Sequence, residues 1–240
     1  MRIVAWNINS RARSKAFRDG FVEALTALEA DLVVLTEYLT HDSHEVALEK
    51  LGQAGLRHRL STEPTPGENQ VLILSRWGLT RGEITGPPIS GSVPSNVLHA
   101  HVPEAGLDVL GMRMPDLGKW PQLRRAWWDW LESMAEQCVS RPFLIAGDFN
   151  TASTYPKARC GDRPARLIAG GWRHAAPSDG ASYYTLRNEP KCIDHAFVTE
   201  HFQIRQARYV TQSAGHRLIG KPAEALSDHA ALVVDLERTL

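Results

Sequence analysis

The sequence predicts an α/β fold, one domain over residues 1–240 made of packed sheets flanked by helices. Apolar spacing switches repeatedly between steps of two and steps of three or four, so strands and helices alternate. The strands cluster in hairpin-like runs at 57–113 and 182–211, with turns such as Gly86-Pro87-Pro88 between them. That clustering favours two packed sheets over one doubly wound parallel sheet. Hydrophobic residues make up 43% and charged residues 22% of the 240, which supports one sizeable core and excludes a disordered or fibrous chain.

Arg2 to Trp6 reads as a strand running into the polar turn Asn7-Ile8-Asn9-Ser10. Phe17, Phe21, Leu25 and Leu28 recur at helical spacing and predict an amphipathic helix over about 14–29. Asp31 to Thr36 is a buried strand, and 42–54 is helical with Gly52 and Gly55 as stop signals. Strands follow near 57–61, 70–76, 79–84, 96–102 and 107–113. Pro121 to Cys138 carries the strongest helical signal, with Leu123, Trp127, Trp130, Leu131, Met134 and Cys138 on one face. Phe143 to Ala146 is a buried strand, 163–169 a short helix, and strands return near 182–186, 192–198, 202–211 and 229–236.

Lys plus Arg equals Asp plus Glu at 27 each, so no global field draws the protein onto polyanions, and nucleic-acid binding needs a local patch. No apolar run approaches the ~18 residues of a membrane span. The first six residues read as a strand rather than a cleavable signal. Cys138, Cys160 and Cys192 form no C-x-x-C pair, which fits neither a disulfide framework nor a cysteine zinc site. The expectation is a reducing, cytoplasmic setting with no obligate protein partner.

Hydrophobic strands repeatedly end in carboxylate, amide or imidazole side chains. Trp6 gives way to Asn7 and Asn9, Thr36 to Glu37, Gly147 to Asp148 and Asn150, Ile193 to Asp194, and Ser227 to Asp228-His229. Strand ends offer the rigidity that metal or substrate geometry requires. Glu37, Asp228 and the asparagines have the oxygen chemistry of a hard cation such as Mg²⁺. His229 beside Asp194 makes an oriented imidazole, and Asp148 a base for water. Each residue alone is more often a turn former or helix cap. By themselves they point no further than a metal-assisted hydrolase.

In order, Ala5-Trp6-Asn7-Ile8-Asn9, Leu35-Thr36-Glu37, Val71 to Arg76, Gly147-Asp148-Phe149-Asn150, Ile193-Asp194-His195 and Ser227-Asp228-His229 resemble the endonuclease/exonuclease/phosphatase (DNase I-like) superfamily. The resemblance runs from residue 3 to about 236. It implies a four-layer α/β/β/α sandwich of two mostly antiparallel sheets, with the site at one end. It also implies Mg²⁺- or Mn²⁺-dependent phosphoester hydrolysis. Carried over by residue, Glu37 is the principal metal ligand, completed by Asp228 and Asn9. Asn7 orients the ligands or contacts phosphate. Asp148 deprotonates the water, Asn150 holds Asp148 or the phosphate, and His229, oriented by Asp194, donates to a phosphoryl oxygen as charge builds.

This chain departs from the pattern in places. Asn9 stands where Asp is frequent, and Thr36 where Gln is common. Arg113 stands where relatives carry Tyr or His; it either grips phosphate through a two-pronged hydrogen bond or is an exposed strand-end arginine. His195 reads as packing. His99 and His101 share a strand face, but with no further ligands in view they read as a surface or half-buried pair. Lys119, Trp120, Arg124, Arg125 and Trp128 offer a basic aromatic surface, the alternative being a solvated helix face. Lys157, Arg159, Arg163 and Arg166 could grip phosphates beside Asp148. Residues 211–226, with His216, Arg217 and Lys221, could shape access. The expected function is a nuclease or nucleic-acid phosphodiesterase, DNA ahead of RNA. A phosphatase or phosphodiesterase for a small metabolite, inositol phosphate or lipid headgroup is the alternative, and a non-catalytic binding module comes third.

Overall fold

In a computed structural model, which describes residues 1–9, 17–89, 93–116, 121–221 and 223–239, the elements follow in chain order. The first half holds β1 (Arg2–Asn7), α1 (Phe21–Thr26), β2 (Leu32–Tyr38), α2 (Glu45–Gln53), β3 (His58–Ser61), β4 (Gln70–Ser75), β5 (Thr80–Arg81), β6 (Val97–Val102) and β7 (Leu107–Arg113). The second half holds α3 (Pro121–Cys138), β8 (Phe143–Asp148), α4 (Arg163–Ala169), β9 (Arg173–His174), β10 (Tyr183–Tyr184), β11 (Pro190–Lys191), β12 (Asp194–Val198), β13 (Phe202–Val210), β14 (Gln212–Ser213), β15 (His216–Arg217) and β16 (Ala231–Arg238).

Two six-stranded sheets form, one in the order β13-β16-β1-β2-β4-β3 and the other β5-β6-β7-β8-β12-β9. Within these sheets the parallel pairs are β1 with β2 and β7 with β8, and the remaining pairs are antiparallel. Alternation along each strand sends one set of side chains inward and the next outward. Ile3, Ala5, Val34, Ile73, Val109 and Ala146 meet between the sheets. Val4, Trp6, Val33 and Leu35 face α1 and α2. Leu110, Met112 and Ile145 face α3 and α4. This is the expected sandwich, and each fully buried large apolar side chain contributes about 1.5–3 kcal/mol.

Local differences from expectation have local causes. Helix α1 begins only after Gly20, whose φ of +84° is incompatible with helix, so Phe17 stacks on Phe21 at 4.3 Å from outside it. Residues 14–16 of the expected helix lie outside the described residues. Helix α2 runs to Gln53, so Gly52 sits inside it and Gly55 marks the exit. The strand expected over 79–84 shrinks to Thr80–Arg81 at the sheet edge. Cys138, Cys160 and Cys192 are free thiols. No helix of the described residues is long and apolar enough to cross a membrane.

Of the two readings of this stretch, the described residues of α3 form neither a basic aromatic surface nor a fully solvated face. Positions 124, 127, 128 and 131 recur at helical spacing on one face, and that face is buried. Arg124 is 1% exposed and donates from Nε and Nη2 to the Pro115 carbonyl at 3.0 and 2.8 Å. Trp128 is fully buried and donates to Thr151 Oγ1 at 3.2 Å. Arg125 alone of the described members is exposed; Lys119 and Trp120 lie outside the described residues.

Candidate active site

The parallel pairs bring strand ends together. Asn7 sits beside Thr36 in the first sheet and Arg113 beside Asp148 in the second, while antiparallel β12 sets Asp194 against Asp148. Polar contacts then tie the two sheets at this end. Asn7 Nδ2 donates to Asp148 Oδ2 at 2.9 Å and to Glu37 Oε1 at 3.3 Å. Arg113 Nε donates to Glu37 Oε1 at 2.9 Å and lies 3.9 Å from Asp148 Oδ2.

Backbone conformation aims these groups. Asn9, Glu37 and Asn150 have φ of +55°, +56° and +48°, a left-handed region uncommon outside glycine. Asparagine tolerates it because its short amide bonds locally. Glu37 is the costlier case: it sits where the β2–β4 register shifts between Leu35 and Tyr38, and such a bulge re-aims a side chain. Gly147 precedes Asp148 with φ of +143°, and a Cβ there would lie 2.0 Å from the Met112 carbonyl. Only glycine lets β7 and β8 close up immediately before the carboxylate.

Asp148 is 1% exposed. Its Oδ1 accepts from the Asn150 backbone N–H at 2.8 Å, and its Oδ2 accepts from Asn150 Nδ2 at 3.0 Å as well as from Asn7. Asn150 Nδ2 also donates to the Met114 carbonyl at 2.9 Å, so the amide is fixed from two sides. Burial, then the charge of Asp194, raises the Asp148 carboxyl well above the ordinary range, while His229, Arg113 and the Asn150 amide pull the other way.

Asp194 Oδ2 lies 2.7 Å from His229 Nδ1. Burial alone would lower the imidazole, but the charge and hydrogen bond of Asp194, with Asp148 and Asp228 adding, reverse that and push His229 up to about 10. These carboxylates therefore favour the charged form of the ring, whose Nε2 lies 3.9 Å from Asp228 Oδ1. Arg113 behaves similarly: burial opposes its charge, yet Glu37 and Asp148 hold its pKa above the ordinary value. Asp228 is the more open acid, with 36% of its side chain exposed.

Supporting residues come from places a linear reading does not connect. Ser182 Oγ accepts from the N–H groups of Ile193 and Asp194 at 2.9 and 3.1 Å. Trp6 Nε1 donates to the His229 carbonyl at 2.9 Å, and the Tyr183 ring lies 5.1 Å from the His229 ring. Ser227 Oγ donates to the Asn7 carbonyl at 2.6 Å and accepts from the His229 N–H at 3.1 Å. Ser227 already stood in the sequence motif; Ser182 and Tyr183 belong to a separate hairpin and had no local signal.

Contacts thus link Asn7, Asn9, Glu37, Arg113, Asp148 and Asn150, and a second set links Asp194, Asp228 and His229 at the same end. Asn9 joins through its N–H, which donates to Asn7 Oδ1 at 2.7 Å. Arg113 is not the exposed strand-end arginine that was one of its readings, since its side chain is 20% exposed and paired to Glu37. His195 is a packing residue, bonded through Nε2 to the Thr151 carbonyl at 2.7 Å, with Nδ1 3.0 Å from His174 Nε2. The basic cluster after Asn150 is half spent. Arg163 pairs with Asp129 and Glu132 at 2.7 and 2.9 Å and Arg166 with Asp162 at 2.8 Å, while Lys157 and Arg159 stay exposed.

Glu37, Asp228 and Asn9 offer oxygen donors without sulfur or imidazole, and all three are half-buried. That set fits a hard divalent cation that keeps several waters.

The family model described as the Endonuclease/Exonuclease/phosphatase family matches residues 4–229. No curated protein sequence matches the chain. Among solved structures, an endonuclease/exonuclease/phosphatase from Beutenbergia cavernae DSM 12333 is 18% identical with a TM-score of 0.74, covering 99% of this chain and 71% of that one. The 3'-5' exonuclease NExo from Neisseria meningitidis is 18% identical, with a TM-score of 0.70 over 99% of this chain and 100% of its own. The 3' phosphatase NExo from Neisseria, bound to a product DNA hairpin, gives 18% identity and a TM-score of 0.69 over 99% of both chains. At such identity these structures establish the shared fold.

Proposed function

The chain belongs to the endonuclease/exonuclease/phosphatase family of phosphoester hydrolases, and from that we propose that it cleaves phosphodiester bonds in nucleic acid, DNA ahead of RNA, with Mg²⁺ or Mn²⁺. The observation that carries the reading is the buried Asp148 carboxylate, held by Asn7 and Asn150 beside the Asp194–His229 pair.

Glu37, Asp228 and Asn9 would hold the cation, which would supply Lewis-acid stabilisation of a phosphoryl oxygen. Asp148 takes the proton of the attacking water, and its raised pKa makes it a stronger base than an exposed carboxylate. Asn7 and Asn150 fix which lone pair faces the water. The His229 imidazolium donates from Nε2 to the phosphoryl oxygen that gains charge, and Asp194 keeps it protonated and oriented. Arg113, held by Glu37 through Nε, has the rest of its guanidinium to offer phosphate. No covalent enzyme intermediate is needed.

A polymer substrate is supported by the β10–β11 hairpin, whose base bridges to His229 at Tyr183 and whose tip carries the fully exposed Leu186 with Tyr184 exposed nearby. The pairing of Arg163 and Arg166 favours a second reading, a small phosphoester substrate that needs no extended basic track. The two separate on a panel of single- and double-stranded DNA, abasic DNA, RNA, bis-p-nitrophenyl phosphate and p-nitrophenyl phosphate, each with Mg²⁺, Mn²⁺ or chelator. Metal-dependent DNA cleavage that falls steeply with salt is the expected result. Turnover of the monoester alone would replace the nuclease reading with a phosphatase, and hydrolysis undiminished by chelator would remove the metal.

A further inference from the structure

A second polar cluster sits at the opposite end of the second sheet, on its helix-facing side. His99 and His101 are two apart on β6, so their rings share a face, and β7 places Asp108 opposite His101 in register. The third group, Asp108, comes from the neighbouring strand, so the sequence around the histidine pair does not show it. One ligand atom from each residue lies within 4.8 Å of the other two. His101 Nδ1 bonds Asp108 Oδ1, and His99 Nε2 lies 3.7 Å from the same oxygen.

His99 is built in. It is 3% exposed, stacks on Phe143 at 5.6 Å, and fits only because Gly82 has no Cβ, which would lie 2.0 Å from Nδ1. Its Nε2 is buried without a hydrogen-bond partner. Burial also keeps the ring neutral, its pKa pushed down to about 4. The other side is open: His101 is 40% exposed and, with Asp108, Pro103 and Arg141, lines a surface depression. Arg141 Nη1 is 3.8 Å from Asp108 Oδ2, while its Nη2 donates to Cys138 Sγ at 3.0 Å and its guanidinium lies over the Phe143 ring, so its closer bond is not to Asp108.

We propose that His99, His101 and Asp108 form a binding site for a transition-metal dication of the zinc class, separate from the catalytic centre. Two imidazole nitrogens with one carboxylate select a borderline ion over Mg²⁺, and the depression leaves a fourth position for water. Tetrahedral zinc spaces its ligand atoms about 3.3 Å apart, so shifts of roughly 1 Å suffice. Asp108 and Arg113 lie towards opposite ends of β7, which separates the sites by roughly 17 Å at 3.3 Å per residue. One bond must yield. The Ile84 N–H donates to His99 Nδ1 at 3.2 Å, which puts the ring proton on Nε2. Metal at Nε2 moves that proton to Nδ1, so the Ile84 amide turns away, in the unpaired segment that follows the two-residue β5. Metal uptake therefore carries a local mark at Ile84.

The test uses the full chain carrying Glu37→Gln and Asp228→Asn, which removes the two carboxylate charges proposed to hold the catalytic cation. Titration with Zn²⁺ by calorimetry, and with Co²⁺ by visible d–d absorption, is expected to show one equivalent bound. His101→Ala and Asp108→Asn, each added to that chain and checked by circular dichroism for an unchanged apo fold, are expected to abolish it. At a hundredfold excess over Kd, Zn²⁺ raises Tm by about 5–10 °C, and hydrogen exchange at the Ile84 amide quickens. In the otherwise native chain, His101→Ala leaves Mg²⁺-supported turnover within roughly twofold, the scale of a surface change. Absence of a bound equivalent in the Glu37→Gln/Asp228→Asn chain overturns the site, and so does an equivalent that survives both added substitutions.

Discussion

At one end of the second sheet, the cluster around Asp148 draws side chains from β1, β2, β7, β8, β12 and the approach to β16; at the other, His99, His101 and Asp108 come from a single hairpin. The first costs more to build. It buries Asp148 and Asp194, needs left-handed backbone at three non-glycine residues, and stays in place because bonds cross between the sheets. The second takes its three polar groups from alternation along β6 and one cross-strand neighbour, with Gly82 and Phe143 making room for His99. A hairpin can gather ligands of matching kind around a point. Setting a raised carboxyl, an imidazolium and a guanidinium side by side requires segments with different surroundings.

The largest effect that would sharpen this contrast is loss of the groups assigned to proton transfer and charge stabilisation. Asp148→Ala and His229→Ala are each expected to lower metal-dependent phosphodiester turnover at least ~100-fold under saturating metal. Unchanged steady-state kinetics in either variant would take that residue out of the mechanism.

The next effect falls on the pH profile. His229 acts protonated, so activity persists below its folded pKa of about 10 and declines above it, while the acid limb follows deprotonation of Asp148. Asp194→Asn removes the strongest influence raising that pKa, so the alkaline limb moves to lower pH by at least about one unit. An alkaline limb that stays put in a kcat profile would break the link between the two residues.

The smallest concerns Arg113, whose guanidinium pairs with Glu37 and would compete with the proposed cation for it. Arg113→Ala is expected to lower the half-saturating Mg²⁺ concentration roughly threefold, as befits a partly exposed ion pair, while also slowing kcat. Calorimetric Mg²⁺ titration separates the two effects, and weaker Mg²⁺ binding in the variant would mean that Arg113 helps the cation rather than opposing it.

Much of the fold was legible along the chain. The Pro121–Cys138 helix fell where periodicity put it, because Trp127, Leu131, Met134 and Cys138 recur at helical spacing on its buried face, and the short helix expected over 163–169 formed at Arg163–Ala169. The helix at Phe17 was drawn too long, since apolar spacing continues through Gly20 although the backbone cannot. The basic reading of α3 failed because residue type was given more weight than position: Arg124 shares the buried face of Trp127 and Leu131. Asp108 went unnoticed as a companion of His101 because register between strands is not written in either strand alone.

Residue order and chemistry by themselves determined the alternation of strands and helices and the polar side chains that end each strand, since these depend on spacing and type within short windows, while the family came from the resemblance of six ordered motifs. Only the folded molecule decided that Asn7 and Asn150 both grip Asp148, that Arg113 lies on Glu37, and that two histidines acquire an aspartate. Those pairings depend on inter-strand register, left-handed turns and the contact between two sheets, and each relates atoms that are distant along the chain.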